Sequence, residues 1–194
     1  MGLLNSKIPP KTLKDLTYIT EFTKEEIQQY YKSFRKDCPS GKLSIEELKK
    51  LYKKRFPMGD ASFFAEHAFR TFDTNGDGTI DFREFLCGLS VNLRGSLKEK
   101  LEWTYNMYDQ DKDGAITKTE VLEIIMATYK MYGQGCLLEK DIKNNPSPEQ
   151  HVERMFNAMD KDGDELITLK EFTLAVYKDP SLVRLMQVDG SENM

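Results

Sequence analysis

The chain has 194 residues, an apolar fraction of 39%, a charged fraction of 31% and a formal net charge of −4, which is typical of a soluble protein. The acidic balance, with no recognised nucleic-acid-binding module, argues against a nucleic-acid partner. No apolar run approaches the roughly 18 residues needed to span a bilayer, and no secretory signal segment is visible. The scattered cysteines are typical of free thiols in a reducing compartment, so a cytoplasmic protein is expected.

The N-terminus carries an acylation pattern. Residues 1–6 read MGLLNS, which makes Gly2 a candidate for N-myristoylation once the initiator methionine is removed. A single myristoyl chain gives only marginal membrane binding and needs a second contribution. Lys7, Lys11 and Lys14 follow closely and would favour an anionic membrane surface. The plainer alternative is an unmodified, flexible terminus.

A 12-residue pattern occurs in complete form at residues 73–84, 109–120 and 160–171, here called loops 2, 3 and 4. Each copy places oxygen-bearing side chains at positions 1, 3, 5, 9 and 12, and position 12 is glutamate. Such ligands, with a backbone carbonyl from position 7, form the calcium loop of an EF-hand, so Ca²⁺ is the predicted cofactor. The predicted ligands are Asp73, Asn75, Asp77, Thr79, Asp81 and Glu84; Asp109, Asp111, Asp113, Ala115, Thr117 and Glu120; and Asp160, Asp162, Asp164, Leu166, Thr168 and Glu171.

Residues 36–47, here called loop 1, form an incomplete copy of the pattern. The closing glutamate survives as Glu47, but the cation Lys36 stands at position 1 and the soft thiol of Cys38 at position 3. Pro39 at position 4 fixes φ where the loop has to wrap around an ion. No calcium is expected in loop 1.

Loop 4 departs from the pattern at position 6, where the chain turns with positive φ. This position is glycine in loops 2 and 3 but Glu165 in loop 4. A left-handed conformation costs a non-glycine residue roughly 1–2 kcal/mol, and about 1.4 kcal/mol corresponds to a tenfold change in affinity. The sequence therefore predicts two strong calcium sites and a third, weaker one.

Helical apolar spacing flanks each loop, which predicts an all-α fold of four EF-hands. Position 8 is apolar in every loop, so short β contacts are expected between loops 1 and 2 and between loops 3 and 4. The predicted organisation is an acylated arm, two EF-hand pairs and a C-terminal segment, at residues 1–21, 22–92, 93–178 and 179–194. An inter-lobe hinge is expected at residues 90–96 and a mobile loop at residues 133–150.

The chain resembles the neuronal calcium sensor family, which includes recoverin, visinin-like proteins, hippocalcin and frequenin, and the visinin-like and hippocalcin branch is the most similar. The resemblance rests on the acylation pattern, Cys38-Pro39, the three complete loops, the phrase HAFRTFDTNGDGTIDFREF (residues 67–85) and the closing DPSLVRLMQ (residues 179–187). It implies a sensor whose acyl chain is buried without calcium and extruded with it. It also implies reversible membrane association and regulation of target proteins.

The resemblance further implies that a groove in the N-terminal lobe binds an amphipathic helix of the target. The matching groove residues here are Phe22, Tyr30, Phe34, Phe56, Phe85 and Leu89. Tyr30 stands where close relatives carry tryptophan, so a groove of different affinity is expected.

Two alternatives to a sensor remain at the level of sequence. A calcium buffer would neither open on binding nor need a lipid anchor. A regulatory subunit of one enzyme is the other alternative, although the acylated phosphatase subunits that it would resemble keep their first hand intact. Catalysis by the chain itself is not expected, since its two histidines, His67 and His151, lie in no recognisable catalytic or metal-ligand arrangement.

Overall fold

The computed structural model describes residues 7–132, 147–179 and 182. Each of the four loops in this part of the chain lies between two helices, so the predicted all-α fold of four helix-loop-helix units is confirmed. The helices are α1 (Pro10–Ile19), α2 (Lys24–Asp37), α3 (Ile45–Arg55), α4 (Ser62–Phe72), α5 (Phe82–Arg94), α6 (Leu97–Tyr108), α7 (Lys118–Tyr132), α8 (Pro148–Met159) and α9 (Leu169–Lys178). The strands are β1 (Lys42–Leu43), β2 (Ile80–Asp81), β3 (Ala115–Thr117) and β4 (Leu166–Thr168). None of the described helices is long and apolar enough to cross a bilayer.

Reciprocal capping fixes where most of the helices begin. In a capping box, the N-cap side chain accepts a hydrogen bond from the backbone N–H of the third helical residue, and that residue's side chain accepts one from the N-cap backbone. The helices α2, α3, α5, α6, α8 and α9 all begin in this way. In loops 1, 2 and 4 the two partners are loop positions 9 and 12. The residue that closes the loop therefore also starts the next helix.

The predicted β contacts between paired loops are confirmed. Strands β1 and β2 pair antiparallel with Leu43 opposite Ile80. Strands β3 and β4 pair antiparallel with Ile116 opposite Ile167. All four side chains are buried, so each pairing joins two hands through both backbone hydrogen bonds and apolar burial.

Two apolar cores lie under the two pairs of hands, and helix α4 contributes to both. Its Ala65 and Phe69 pack in the core of the first pair. Its Phe64 and Ala68, together with Ala61 before the helix, pack in the core of the second pair. The helix that leads into loop 2 is therefore fixed partly by the second pair of hands.

Two predicted irregular segments are partly helical. The expected hinge at residues 90–96 is wrong over most of its length, because α5 continues to Arg94 and only Gly95 and Ser96 separate it from α6. Ser96 caps α6 and the Gly95 amide donates to the carbonyls of Ser90 and Val91, so hydrogen bonds continue across this junction. The expected loop at residues 133–150 ends earlier than predicted, because α8 starts at Pro148, a residue suited to the first turn of a helix. Residues 133–146 lie outside the described part.

Gly88 on α5 allows two aromatic rings from different hands to meet. The Phe72 ring at the end of α4 packs edge-on against Trp103 of α6, with 5.0 Å between ring centroids. A Cβ on Gly88 would overlap both rings and lie 2.5 Å from the tip of the Trp103 indole. Glycine is thus needed here for close approach rather than for a special backbone conformation.

Replacing Gly88 with alanine should destabilise the protein. Alanine gains up to about 1 kcal/mol of helix propensity, but overpacking costs about 1–3 kcal/mol. We expect a net loss of about 1 kcal/mol in the free energy of unfolding, measured by urea denaturation followed by far-ultraviolet circular dichroism. In a Trp103→Leu background Phe72 has room to move, so Gly88→Ala should cost less there; an equal cost would show that the rings are not the cause.

Candidate calcium sites

Loop 3 provides the best-formed cluster of carboxylates. Ligand oxygens of Asp109, Asp111 and Glu120 lie within 4.8 Å of one another. One Asp109 oxygen accepts a hydrogen bond from the Gly114 amide at 3.1 Å, and the other is buried with no hydrogen-bond partner among the described residues. Burial raises the pKa of Asp109, and its carboxylate neighbours add to the effect. An unpartnered buried carboxylate oxygen is costly, so the geometry fits a divalent cation that completes it.

Loop 4 brings a second set of three carboxylates together. Asp160, Asp162 and Asp164 have ligand oxygens within 4.8 Å of one another. Glu165 has φ of 64°, so the predicted left-handed conformation at position 6 is confirmed. Its amide donates to Asp160 at 3.2 Å, as the amide of Gly114 does to Asp109 in loop 3. Glutamate therefore preserves the turn of the loop, at the cost of backbone strain.

Loop 2 is arranged differently although its sequence fits the pattern fully. Asp73 accepts hydrogen bonds from the amides of Asp77 at 3.1 Å and Gly78 at 2.9 Å. Its acidic residues form no group of three within 4.8 Å among the described residues. Position 3, which supplies a carboxylate to the clusters of loops 3 and 4, is Asn75 in loop 2. In addition, the Lys42 ammonium lies 3.1 Å from Asp77 and 3.1 Å from the Thr79 hydroxyl. The pKa of Asp77 lies below its usual range because its carboxylate accepts hydrogen bonds, the more important from the Thr79 hydroxyl and the second from Lys42.

The closing glutamates are held by backbone amides on both sides of each complete loop. Glu84 accepts from Thr74 at 3.1 Å and from Asp81 at 3.0 Å. Glu120 accepts from Gln110 and Thr117, both at 2.8 Å. The corresponding bonds to Glu171 come from Lys161 at 3.1 Å and Thr168 at 3.0 Å. Each glutamate is therefore placed between the start of its loop and the start of the exiting helix.

Two further predicted ligands accept hydrogen bonds within their own loops, Asn75 from the Asp77 amide at 2.7 Å and Asp113 from the Ala115 amide at 2.9 Å. The other predicted ligands divide into two kinds. Thr79, Ala115 and Leu166 follow the position-6 turn, where their backbone carbonyls are the expected ligands. The position-9 residues instead engage the closing glutamate. The Asp81 carboxylate accepts from the Glu84 amide at 2.9 Å, whereas the Thr117 and Thr168 hydroxyls each donate to the glutamate of their loop at 2.8 Å.

Loop 1 lacks the ligand geometry of the others, as its sequence predicts. Helix α2 continues to Asp37, so it occupies the first two positions of the loop. Position 4 is left-handed in loops 2, 3 and 4, at Gly76, Lys112 and Gly163, a conformation that Pro39 cannot adopt. Cys38 is buried, and burial raises its pKa to about 11, so the thiol is protonated and apolar at neutral pH. Glu47 keeps only the capping role toward Ser44.

Two lysines that sequence reasoning missed reach the calcium loops from neighbouring hands. Lys42 of loop 1 contacts Asp77 of loop 2, and Lys118 of α7 lies 3.0 Å from Glu165 of loop 4. The signal for Lys42 lay in the strand pairing, which sets it opposite Asp81. Each lysine therefore places its positive charge beside a loop that is predicted to bind Ca²⁺.

Five of the six predicted groove residues gather in the core of the first pair of hands. Phe22 and Phe34 are buried, while Tyr30, Phe85 and Leu89 pack partly buried around them. Phe56 does not join this group. Its ring lies 5.3 Å from Tyr132 of α7 and packs in the second core, because it follows α3 at the side that faces the second pair of hands.

The comparisons with known proteins agree with this geometry. The model of the EF-hand domain pair matches residues 24–90 and 98–177, which together include all four loops. The chain is 44% identical over 191 residues to neuronal calcium sensor 1 of Lymnaea stagnalis, covering 98% of each chain. The chain belongs to the neuronal calcium sensor family. It is a calcium-binding EF-hand sensor and not an enzyme; its place in the visinin-like and hippocalcin branch stays a prediction.

Removing the Lys42 charge should tighten calcium binding at loop 2. An exposed ion pair contributes at most about 1 kcal/mol, so Lys42→Met is expected to raise the affinity by about two- to fivefold. Calorimetry in a Glu120→Gln/Glu171→Gln background would isolate loop 2. Lys54→Met removes the same charge from an exposed position on α3. An equal gain with that control would mean that only net charge matters.

Relieving the strain at Glu165 should stabilise the protein. We expect Glu165→Gly to raise the free energy of unfolding by about 1 kcal/mol, since glycine adopts positive φ without the steric cost. The measurement is urea denaturation at saturating calcium. Under these conditions the free energy of unfolding includes the free energy of calcium binding, so it increases whether the relieved strain favours folding or binding. Glu165→Ala removes the carboxylate and its contact with Lys118 but keeps the strain. A gain of the same size with alanine would contradict the explanation.

Proposed function

We propose that this calcium sensor binds three calcium ions, through loops 2, 3 and 4, and responds by exposing the N-terminal groove. The ligands are the loop residues predicted from sequence. Loops 3 and 4 support the proposal by their clustered carboxylates, and loop 2 supports it by its complete set of ligand types. Calcium neutralises carboxylates that otherwise repel one another.

The observation that carries the proposed response is the way the groove residues are covered. Phe22 and Phe34 are 3% and 5% exposed and share a core with Leu16 of α1, which is fully buried. Helix α1 and Ile8 before it therefore lie over the surface that a target helix would need. This is the arrangement expected of a sensor whose groove opens only on binding.

A set of contacts links the residues that follow α1 to α5, the helix that leaves loop 2. Arg94 at the end of α5 pairs with Glu26 and lies 4.7 Å from the centre of the Phe22 ring. It also donates to the Glu21 carbonyl at 2.7 Å, while the Glu21 amide donates to Ser90 at 3.0 Å. Because α5 begins within loop 2, at the residue after Asp81, a shift of Glu84 onto an ion would move the helix that holds the residues following α1.

We further propose that Gly2 is myristoylated and that the acyl chain, with nearby lysines, brings the protein to anionic membranes when calcium binds. Gly2 lies outside the described residues, so this part rests on the acylation pattern and the family. The opened groove would then take an amphipathic helix of a target protein, seated on Phe22, Tyr30, Phe34, Phe85 and Leu89. A ligand shifts such an equilibrium only by its differential affinity for the open state.

Co-sedimentation with anionic liposomes tests this proposal. The N-myristoylated protein should sediment with the liposomes in calcium and stay in solution in chelator. The Gly2→Ala variant, which cannot be acylated, should stay in solution in both, since the lysines alone bind weakly. Equal sedimentation in calcium and chelator would replace the switch with a constitutive anchor. No sedimentation in either would favour a buffer.

A further inference from the structure

The last turn of α4 lies between the two pairs of hands. Arg70 and Phe72 belong to this turn, and the next residue, Asp73, is the first predicted ligand of loop 2. Any displacement of this turn therefore displaces Asp73. Two of its residues, Arg70 and Phe72, contact the third hand, which carries loop 3.

Gln110 makes the polar contact between this turn and the third hand. It occupies position 2 of loop 3, directly after Asp109. Its side-chain oxygen accepts from the Arg70 guanidinium at 3.1 Å, and its side-chain nitrogen donates to Glu123 of α7 at 3.2 Å. Its backbone amide donates to the closing Glu120 at 2.8 Å. One residue thus touches α4, α7 and the glutamate that closes loop 3.

An aromatic contact holds the same turn from the other side. The Phe72 ring packs edge-on against Trp103 of α6, in the space that Gly88 leaves free. His67, one turn earlier on α4, is buried at the same junction beside Arg70 and Gln110. The end of α4 therefore contacts α6 through these rings and loop 3 through the Arg70–Gln110 hydrogen bond, and Gln110 in turn bonds α7.

The other complete loops use position 2 differently. In loop 2 the Thr74 hydroxyl bonds its own closing residue, Glu84, at 3.1 Å. In loop 4 the residue is Lys161, which is exposed. Among the complete loops of the described part, loop 3 is the one whose position-2 side chain hydrogen-bonds a helix of the other pair of hands.

We propose that Gln110 is a positioning residue that couples calcium binding at loop 3 to calcium binding at loop 2. Binding at loop 3 draws Glu120 and α7 toward the ion. Because Gln110 joins α7 and the loop to Arg70, the last turn of α4 follows, and with it Asp73. By thermodynamic linkage, binding at loop 2 favours binding at loop 3 by the same factor. The inference rests on the proposed function, since it requires both loops to bind.

The experiment measures how strongly loop 2 depends on loop 3. The amides of Gly78 and Gly114 hydrogen-bond the first ligands of loops 2 and 3, at 2.9 and 3.1 Å, so their NMR signals report the two loops separately. Glu120→Gln, which weakens loop 3, should lower the calcium affinity of loop 2 by about fivefold. In the Gln110→Leu background it should lower that affinity by less than about twofold. Lys161→Leu, the same apolar change at position 2 of loop 4, should leave the fivefold effect intact.

Hydrogen–deuterium exchange gives a second readout that does not depend on the affinity of loop 2. In a Glu84→Gln variant, calcium binding at loop 3 should slow amide exchange in residues 68–73 by about fivefold, and Gln110→Leu should abolish this protection. Arg70→Met should do the same, and combining it with Gln110→Leu should add nothing, because both remove one contact.

The outcomes separate this inference from the function on which it rests. A dependence of loop 2 on loop 3 that survives Gln110→Leu, or is lost equally in Lys161→Leu, would overturn the coupling role of Gln110. No dependence in the otherwise unchanged protein would overturn it as well. If the Gly78 or Gly114 signal fails to respond to calcium in the unchanged protein, the proposed three-site function is overturned, and the inference with it.

Discussion

The glutamate at position 12 of each complete loop has two structural roles, and one carboxylate performs both. It accepts amide hydrogen bonds from the start of its loop and from the start of the exiting helix, as Glu120 does from Gln110 and Thr117. A ligand that draws this carboxylate toward position 1 therefore also moves the helix that the carboxylate caps. The capping box therefore connects cation binding to helix movement. Through it, a loop of 12 residues can move a helix that is several turns long.

In loop 1 the closing glutamate keeps its capping role although the loop has no calcium ligands. It has lost its ligands, yet Glu47 still caps α3 with Ser44, and Leu43 still pairs with Ile80 of loop 2. The degenerate hand is therefore retained as a structural partner, because a single hand would leave one edge strand and one apolar face uncovered. It also places a positive charge beside the neighbouring loop, since its Lys42 reaches Asp77 at position 5 of loop 2.

Helix α4 determines how the two pairs of hands are related. One of its faces packs in the first core and another in the second, so the division of the chain into two lobes runs along this helix rather than between α5 and α6. Further contacts cross the division. The Asp60 amide donates to the Lys130 carbonyl at 2.8 Å, and Phe56 packs on Tyr132. Such a shared helix gives the calcium sites of different pairs a direct physical connection.

The sequence by itself determined the features that depend on local spacing. Carboxylates at fixed intervals, glycine at a left-handed turn and an apolar residue at position 8 each act within one loop, so they predicted the loops, their pairing and the degenerate first hand. The strain at Glu165 could also be predicted from sequence, because it depends only on the φ angle of that residue. Tertiary structure decided what depends on residues distant in the chain. The continuation of α5 through the expected hinge, the placement of Phe56 in the second core, and the contacts of Lys42 and Gln110 all depend on which surfaces meet when the helices pack. The spacing of residues within one segment does not determine which surfaces of different helices meet.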